Sequence, residues 1–420
     1  MGIGAKIKWT RLEQGMTQED LAEGIVSMSY LSKIENERTA PSTDVVAMLC
    51  TRLGIEADID FEERLQEKLL EWYKLLRSME DKQKITTLYE EIDGLISMSK
   101  SQNLLYEIHR IKYYLIFAEY DDVLVHINKL KKVAETFDKY QQYFWYKYRG
   151  NYYSLMGDFS EALRLYQLAE ENMNHIDLEE EELADIKYSI AVTHSKLRHT
   201  LETIEYTDLA LEMYQKEYNF TRCAHCHILL GISYRRLKMY DKAIKNQNLA
   251  KHLGEITENK QIIQLSNQNL GYLHSVKGNT EEAIKYYEEV AADETVDVIE
   301  NLAATTSLIR EYYKLELYEK AREMIAKSTE LLETRLYGDE YKYFYYMTYT
   351  YDFALKDDHD NFEALVTEEF LPYLRKNKDY ASLVTYTKMM AAHYEKQQRY
   401  KEASRFYKLA NVNYQELVDV

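Results

Sequence analysis

Proline and glycine are scarce in this sequence, with only 2 Pro and 13 Gly among 420 residues. Pro interrupts helices and sheets, and Gly supplies the backbone conformations that tight turns require, so chains that turn often are rich in both. Their scarcity argues against a sheet-rich fold and against Pro-rich linkers. We therefore predict an all-α chain in which one helix follows another.

Cysteine is also rare, and the 3 cysteines, Cys50, Cys223 and Cys226, are too few for a framework of disulfides. No run approaches the ~18 apolar residues of a membrane-spanning helix, and the N-terminal residues lack the apolar centre of a signal peptide. An N-myristoylation motif has Gly at position 2 and Ser or Thr at position 6. This sequence has Gly2 but carries Lys6 at the second of these positions. These absences predict a soluble, cytoplasmic protein without a membrane partner.

Acidic residues outnumber basic ones, which gives a formal net charge of −18. Residues 1–58 hold 6 Lys or Arg and 9 Asp or Glu, and the rest of the chain has a larger acidic excess. An acidic surface repels DNA phosphates at long range, so most of this chain should not bind nucleic acid. Any DNA contact must come from a local basic patch, present in more than one copy.

Four short helices are predicted in residues 1–58, because helix-start residues alternate with apolar residues at helical spacing. The helix-start residues are Thr17, with Asp20 three positions later, Ser27, and Ser42 or Thr43. Gly15 and Gly54 end the first and the last helix. The apolar residues expected to face inward include Ile3, Ile7, Leu12, Leu21, Ile25, Leu31, Ile34, Val45, Val46, Leu49 and Leu53.

This region resembles the helix-turn-helix of phage-repressor and Xre-type regulators. The resemblance lies in Thr-Gln-Glu-Asp-Leu-Ala at residues 17–22, Ser-Tyr-Leu-Ser-Lys-Ile-Glu-Asn at residues 29–36, and residues 38–41 and 53–55. In that family the third helix enters the major groove of DNA. The resemblance implies base-edge contacts by Ser27, Met28, Ser29 and Lys33. It implies contacts with the phosphate backbone by Thr17, Gln18, Asn36 and Arg38.

Arg11 has two interpretations. It could contact phosphate from the surface, or form an internal ion pair with Glu35, which the family pattern also supports. A module with six basic residues supplies few phosphate contacts. Because dimeric readers of this size bind two half-sites a helical turn apart, we expect operator DNA to be bound by a dimer.

A second pattern recurs about every 40 residues up to the C-terminus. Small residues, which let two antiparallel helices approach closely, recur at Ala162, Ala243, Ala283, Ala321, Ala364 and Ala403, with Val123 and Thr203 in equivalent positions. Twelve residues before such a position lies a second small residue, at Gly150, Ala191, Gly231, Gly271 and Ala391. The pattern resembles tetratricopeptide repeats with lengthened helices. It implies about nine helical hairpins stacked into a right-handed superhelix with a concave groove.

Residues 59–78 form a strongly apolar helical stretch without Pro or Gly. We predict a DNA-binding domain in residues 1–58, a helical linker in residues 59–78 that merges into the first hairpin, and a repeat domain for ligand binding and oligomerisation in residues 61–420. The linker should dock on the first repeat or meet the linker of a partner. The apolar side chains of the linker are Phe61, Leu65, Leu69, Leu70, Trp72, Tyr73, Leu75 and Leu76.

Polar side chains are expected on the concave side of the repeats, mainly on the first helix of each hairpin. Their amides can pair with the backbone of an extended peptide, and their cations can meet a carboxylate. The alternative is a merely hydrated groove. The acidic run at residues 179–182 is interpreted as a solvated helix start. The candidate peptide contacts are His109, Lys112, Lys147, Asn151, His225, Arg235, Gln268, Asn269, Tyr272, Arg310 and Tyr313.

A helix-turn-helix followed by about nine such repeats resembles the Rap/NprR/PlcR family of peptide-sensing regulators of Gram-positive bacteria. The resemblance implies a quorum-sensing transcriptional regulator that binds a short, imported signalling peptide in the groove. It implies a change of oligomer, from dimer to tetramer, that switches operator binding. It also implies an alternative or second role, in which the peptide-free protein sequesters a response regulator of the sporulation phosphorelay.

Cys223-Ala-His-Cys-His227 matches the haem-attachment pattern, but it lies within a predicted repeat helix. The run lacks a second ligand pair for zinc, so packing of two thiols is the simpler interpretation. No phosphate-binding loop or nucleophile motif is present. We therefore expect no metal, no cofactor and no enzymatic activity, although the Rap members of the family keep a phosphatase alternative open.

Overall fold

The computed structural model describes residues 3–36, 38–39, 41–54, 59–79, 81–99, 103–173, 176–293, 295–333 and 338–419. Every regular element within these ranges is helical, and they contain no β-strand. The chain forms two compact units, Met1–Glu182 and Leu183–Val420. The predicted all-α class is confirmed.

The first unit begins with four short helices: α1 Ile3–Glu13, α2 Gln18–Ala22, α3 Met28–Glu35 and α4 Thr43–Arg52. The last three start at predicted caps, where a side-chain oxygen accepts a backbone N–H of the first turn. These caps are Thr17, which forms a capping box with Asp20, Ser27 and Ser42. The shared core contains Ile7, Leu21, Ala22, Leu31, Ile34, Val46, Leu49, Cys50 and Leu53.

One residue of this domain departs from the predicted apolar pattern, and one glycine explains how closely two of its helices pack. Leu12 was predicted to face inward, but it is 59% exposed because it lies on the outer face of α1. Gly4 permits a close approach of α1 to the end of α3, since a Cβ atom there would overlap the carbonyl oxygen of Ile34. The predicted residue Ile55 and the boundary at residue 58 lie outside the described residues.

Three helical hairpins complete the first unit. Their helices are α5 Ile59–Ser78 and α6 Lys82–Ser99, α7 Leu104–Ile116 and α8 Tyr120–Lys131, and α9 Lys139–Leu155 and α10 Phe159–Met173. The predicted linker is therefore the first helix of the first hairpin, and it packs against both α6 and α7. The side chain of Phe61 lies outside the described residues.

The second unit continues the repeat, and its first helix begins in the last residues of the first unit. The hairpins are α11 Glu180–Lys196 with α12 Thr200–Lys216, α13 Phe220–Arg236 with α14 Tyr240–Ile256, α15 Lys260–Val276 with α16 Thr280–Ala291, and α17 Val298–Lys314 with α18 Tyr318–Glu333. The last two are α19 Lys342–Leu355 with α20 His359–Ala364 and α21 Leu371–Lys376, and α22 Tyr380–Lys396 with α23 Tyr400–Asp419. Across the described ranges the count is nine hairpins, as predicted.

The small residues of the repeat lie where helices approach closely. Ala162, Ala243 and Ala283 have no exposed surface. A Cβ atom on Gly271 would come within 2.6 Å of the Tyr287 ring, so the glycine makes room for that ring. This packing is the physical basis of the predicted repeat register.

The register is wrong in one hairpin. Ala364 is exposed, and Phe362, only 1% exposed, occupies the buried position two residues earlier. Here the packing uses a large ring instead of a small residue, so a search for Ala chose the wrong position. A π-helical segment, Leu365–Phe370, joins α20 to α21 immediately after it. None of the helices described is long and apolar enough to cross a membrane.

Candidate functional site

The start of α3 presents an exposed polar surface. Ser27, Met28, Ser29 and Lys33 are all exposed, whereas Leu31 and Ile34 on the opposite side are buried in the domain core. The hydroxyls of Ser27 and Ser29 lie 3.3 Å apart. All four side chains that were predicted to contact base edges are therefore accessible from one side of the domain.

Arg11 is an internal residue. Its Nε and Nη2 atoms donate to Glu35 at 2.6 and 3.0 Å, and its Nη1 atom donates to the carbonyl of Met16 at 2.8 Å. Glu35 is 2% exposed. Although burial alone would raise the pKa of Glu35, its bonds to Arg11 and Gln18 lower it. The interpretation of Arg11 as an ion pair with Glu35 is confirmed.

Gln18 is committed to the same network. It was predicted to hold phosphate, but its amide nitrogen donates to Glu35 Oε2 at 2.6 Å. The side chain is thus held toward the domain interior, because the second carboxylate oxygen of Glu35 accepts this bond. Thr17 is exposed, and its hydroxyl serves in the capping box with Asp20.

The other predicted phosphate contacts lie near the end of α3. Asn36 and Arg38 are exposed, and Asn36 accepts a hydrogen bond from Lys8 Nζ at 2.9 Å. Lys8 was missed in the sequence because it lies 28 residues earlier, on α1. Arg52 donates to backbone carbonyls at the end of α2 and so has a structural use. Few of the domain's cations therefore remain available for DNA.

In the first unit, α5 is tied to the beginning of α11 by a buried cluster. Glu182 is 1% exposed and accepts hydrogen bonds from Tyr73 at 2.7 Å and from Tyr143 at 2.6 Å. Lys147 forms an ion pair with the same carboxylate. Lys147 was predicted to contact a peptide, but its side chain is 4% exposed and is already paired. It does not face an open groove here, because α5 lies across it.

His109 lies beside this cluster. Its ring stacks on Tyr73 with a centroid separation of 5.0 Å, and its Nδ1 atom is 2.9 Å from the hydroxyl of Tyr148. Burial and the charge of Lys147 lower the pKa of His109 to about 3. His109 reaches only the wall of a pocket of about 380 Å³ that is also lined by Leu69 and Leu104. His109 is thus nearly buried at the wall of this pocket, and its predicted contact with a peptide stays a prediction.

The acidic run at residues 179–182 starts α11 as predicted, but it is solvated only in part, because Glu179 and Glu180 are exposed whereas Glu182 is buried. Arg77 on α5 pairs with Glu179 at 2.6 Å and with Glu181 at 2.8 Å, while Glu182 is buried. The run is the acceptor surface for α5. The sequence offered one indication of this role, since α5 carries Tyr73 and Arg77 one helical turn apart.

Two further predicted contacts in the first unit are half-buried. Lys112 has its Nζ atom 3.6 Å from the sulfur of Met79. Asn151 accepts a hydrogen bond from the hydroxyl of Tyr166 at 2.7 Å. Both side chains retain accessible surface, so their predicted contact with a peptide stays a prediction.

The second unit brings several predicted contacts to one side of α13, α15 and α17. Gln268 and Asn269 are half-buried on α15. The Oε1 atom of Gln268 is buried and has no hydrogen-bond partner among the described residues, and Asn269 donates to the carbonyl of Leu265 at 3.0 Å. His225 on α13 is half-buried, and burial lowers its pKa.

Two arginines and two tyrosines extend this surface. The guanidinium carbon of Arg235 lies 4.7 Å from the ring centre of Tyr272, a favourable cation–π distance. Arg310 Nε donates to Glu311 Oε1 at 2.8 Å. Tyr313 packs against the ring of Tyr351 at 5.1 Å. All four predicted residues are half-buried rather than fully exposed.

Cys223 and Cys226 are buried, unpaired thiols. Burial raises the pKa of both thiols, which disfavours the thiolate that metals and haem attachment require. Within the residues that the structure describes, no group of three or more His, Cys, Asp or Glu side chains is placed to hold a metal ion.

Comparison with known proteins relates both units to one family. A helix-turn-helix family model matches residues 7–59. The transcriptional activator NprA of Geobacillus stearothermophilus is 35% identical over 397 residues, which cover 93% of this chain and 98% of NprA. The chain belongs to the NprA family. As a member of this family it is a transcriptional regulator and not an enzyme.

Solved structures show the fold that this NprA-family regulator shares. The apo form of the quorum sensor NprR from B. thuringiensis matches with a TM-score of 0.69 at 21% identity, covering 84% of this chain and 99% of that one. NprR in complex with its cognate peptide NprX matches with a TM-score of 0.57 at 22% identity, covering 83% and 97%. The predicted order, a helix-turn-helix followed by helical repeats, is confirmed. The predicted family of regulators is confirmed through the transcriptional activator NprA.

Proposed function

We propose that this protein is a quorum-sensing transcriptional regulator of the cytoplasm. It binds operator DNA through the start of α3, and a short imported peptide bound by the repeat helices controls that binding. The observation that carries the proposal is the combination, in one NprA-family chain, of an exposed polar α3 with half-buried amides and cations on the repeats. The solved complex of NprR with NprX supports a peptide as the ligand class.

Two copies of the DNA-binding domain should act together. Arg11 is consumed by Glu35, and Arg52 caps α2, so each domain offers mainly Lys8, Lys33 and Arg38 to phosphates. Such a small set gives weak binding, because phosphate neutralisation supplies much of the affinity for DNA. A dimer doubles the contacts, and we propose that the peptide changes the assembly from dimer to tetramer.

The segment at residues 59–78 is the proposed connection between the DNA-binding domain at residues 1–58 and the repeat domain at residues 61–420. Tyr73 and Arg77 attach this helix to Glu179, Glu181 and Glu182. A peptide that alters the packing of the repeat helices can therefore alter the position of α5. This link gives the proposed ligand a physical route to the oligomer and to DNA binding.

The test is operator binding by the full-length protein with and without candidate heptapeptides. Binding to DNA and the mass of the complex are measured in the same samples, by fluorescence anisotropy and light scattering. We expect one peptide to change both quantities, while its scrambled form changes neither. If no peptide changes either quantity, the proposed control by a peptide is wrong.

The family resemblance also implies a second role, sequestration of a phosphorelay response regulator by the peptide-free protein. Removal of residues 1–58 separates the two roles, because it deletes the DNA contacts and leaves the repeat helices in place. Capture of the response regulator by the shortened protein would support sequestration. Phosphate release from the phosphorylated response regulator would instead support the phosphatase alternative.

A further inference from the structure

We propose that Arg310 and the tyrosines around it form a recess that binds a carboxylate of the peptide ligand. This inference rests on the proposed peptide-receptor function and adds to it the chemistry that the ligand must carry. The recess lies wholly in the second unit and is built by α16, α17, α19 and α22. We call it the Arg310 recess and define it by Arg310, Tyr287, Tyr343, Tyr351 and Tyr386.

The charges at the recess do not cancel. Glu311, with no exposed surface, accepts hydrogen bonds from Arg310 at 2.8 Å, from Lys314 at 3.0 Å and from Ser275 at 2.7 Å. One carboxylate thus faces two cations. Arg235, on α13 of the same unit, lies over the ring of Tyr272, and the described residues provide it with no carboxylate partner. A positive surplus at this place is notable in a protein of net charge −18.

Arg310 can bind a further anion in addition to its ion pair with Glu311. Glu311 engages its Nε atom and the hydroxyl of Tyr287 lies beside the guanidinium, but among the described residues Glu311 is the one carboxylate paired with Arg310. The side chain is 17% exposed, so it is shielded from water but can still be reached. A planar guanidinium that offers two parallel N–H groups matches the two oxygens of a carboxylate.

The neighbouring hydroxyls can complete such a site. Tyr287 and Tyr386 are 0% and 2% exposed, and neither hydroxyl makes a well-oriented hydrogen bond among the described residues. The hydroxyl of Tyr287 lies near Ser307 and Arg310, and that of Tyr386 lies near Tyr351. The rings of Tyr351 and Tyr386 lie 6.3 Å apart. Burial raises the pKa of Tyr343, Tyr351 and Tyr386, and in each case the nearby charge of Arg310 opposes that rise. Neutral hydroxyls beside a guanidinium can donate hydrogen bonds to an incoming anion.

A carboxylate is the ligand group that satisfies these features together. A buried cation without its full complement of acceptors is costly, and the recess gains most from one anionic group. A peptide can supply that group from an Asp or Glu side chain or from its C-terminus. Both sources supply the same carboxylate chemistry. They are distinguished by where the carboxylate lies along the peptide.

The experiment uses a pooled heptapeptide library made with either a free C-terminal carboxylate or a C-terminal amide. Full-length protein is incubated with each pool, and the retained peptides are identified by mass spectrometry. Enrichment of Asp or Glu at one position in both pools assigns the recess to a side chain. Enrichment confined to the free-acid pool assigns it to the C-terminus. Either result supports the proposal.

Substitutions in the Arg310 recess test whether it is responsible for the carboxylate preference of the retained peptides. Arg310→Gln should lower the affinity for a retained peptide by about tenfold or more, since charge-assisted hydrogen bonds are among the stronger ones. Tyr386→Phe removes a buried hydroxyl that lies near Tyr351 without a well-oriented hydrogen bond, and it should weaken binding several-fold without unfolding the chain. Arg322→Gln is the matched control, because Arg322 is half exposed and pairs with Glu319 on its own helix.

Three outcomes contradict the proposal. Retained peptides without any carboxylate preference would overturn the recess while leaving the peptide-receptor function intact. An unchanged preference in folded Arg310→Gln and Tyr386→Phe proteins would place the carboxylate elsewhere. If the native protein retains no peptide, the receptor function itself is contradicted, and the recess proposal is contradicted with it.

Discussion

At the scale of single residues, burial decides which polar side chains are free to act. Lys147 and His109 have the residue types expected of a peptide groove, yet both are enclosed by α5 and engaged by Glu182 or Tyr148. Arg310, in the second unit, keeps 17% of its side-chain surface exposed. The distinction depends on partners that are distant in the sequence, so residue type alone does not reveal it.

His109 should make the protein less stable in mild acid. Its pKa is lowered to about 3 in the folded chain, whereas an unfolded His titrates near ~6.5. Between these values the unfolded chain binds the extra proton, so stability falls as the pH falls below ~6.5. His109→Gln removes this proton uptake by the unfolded chain. Between pH 7.5 and pH 5.5 the variant should therefore lose about 1.4 kcal/mol less unfolding free energy than the native protein does.

The measurement is urea unfolding of both proteins at the two pH values, followed by circular dichroism. The comparison at pH 7.5 is the control for packing changes, because His109 is neutral there in both states. An equal pH dependence in the two proteins would contradict the assigned burial of His109.

At the scale of elements, the turns between paired helices are uniform even though glycine is rare. A residue with positive φ follows most of the helices, and in the turn after α13 it is Lys238, with φ of 58°. The following N–H groups bond back into the helix, Lys238 N to Arg235 O and Met239 N to Tyr234 O, both at 2.9 Å. Gly157, with φ of 81°, has the same role after α9. These bonds terminate each helix and set the reversal of the chain.

Lys238→Gly should stabilise the second unit, because a left-handed backbone strains a residue with a Cβ atom and does not strain Gly. Relief of about 1–2 kcal/mol of strain exceeds the ~0.4–1 kcal/mol that the greater freedom of glycine in the unfolded chain costs. We therefore expect a net gain of about 0.5–1 kcal/mol in the free energy of unfolding, measured by urea denaturation. Gly157→Ala is the reciprocal variant and should destabilise the first unit, since its added Cβ meets the same strain. A loss of stability in Lys238→Gly would show that the lysine side chain matters more than the backbone strain.

The hairpin that contains Phe362 shows how far an element pattern can be trusted. Its buried position has a large ring where the other hairpins have a small residue, and a π-helical segment follows. The repeat length was predicted correctly because the spacing of turns sets it. The register of this hairpin was predicted wrongly, because it depends on which side chain fills the space between the helices.

At the scale of the whole molecule, the proposed DNA contacts and the proposed ligand contacts lie in different parts of the chain. The exposed residues of α3 belong to the first unit, and Asn269 and the Arg310 recess belong to the second. The two activities should therefore be separable by single substitutions, even though a bound ligand controls both. This separation is the arrangement expected of a regulator in which one region senses and another reads DNA.

Lys33→Ala should weaken operator binding by about tenfold or more while leaving peptide affinity unchanged, because Lys33 is exposed at the DNA-facing surface of α3. Asn269→Ala should weaken peptide binding and leave operator binding by the peptide-free protein unchanged. Both quantities are measured on each variant by fluorescence anisotropy. Equal loss of both activities in either variant would show that the two regions are not separable in this way.

The sequence by itself determined the all-α class, the helix-turn-helix and the period of the repeats, because capping residues, turn spacing and apolar periodicity are local properties. It offered the ion pair of Arg11 with Glu35 as one of two interpretations, and the structure decided between them. Only the tertiary structure decided that the acidic run at residues 179–182 binds α5, that Lys147 and His109 are enclosed, and that tyrosines from three other helices surround Arg310. Those facts depend on contacts between residues about 20 to 110 positions apart, and no local pattern encodes such contacts.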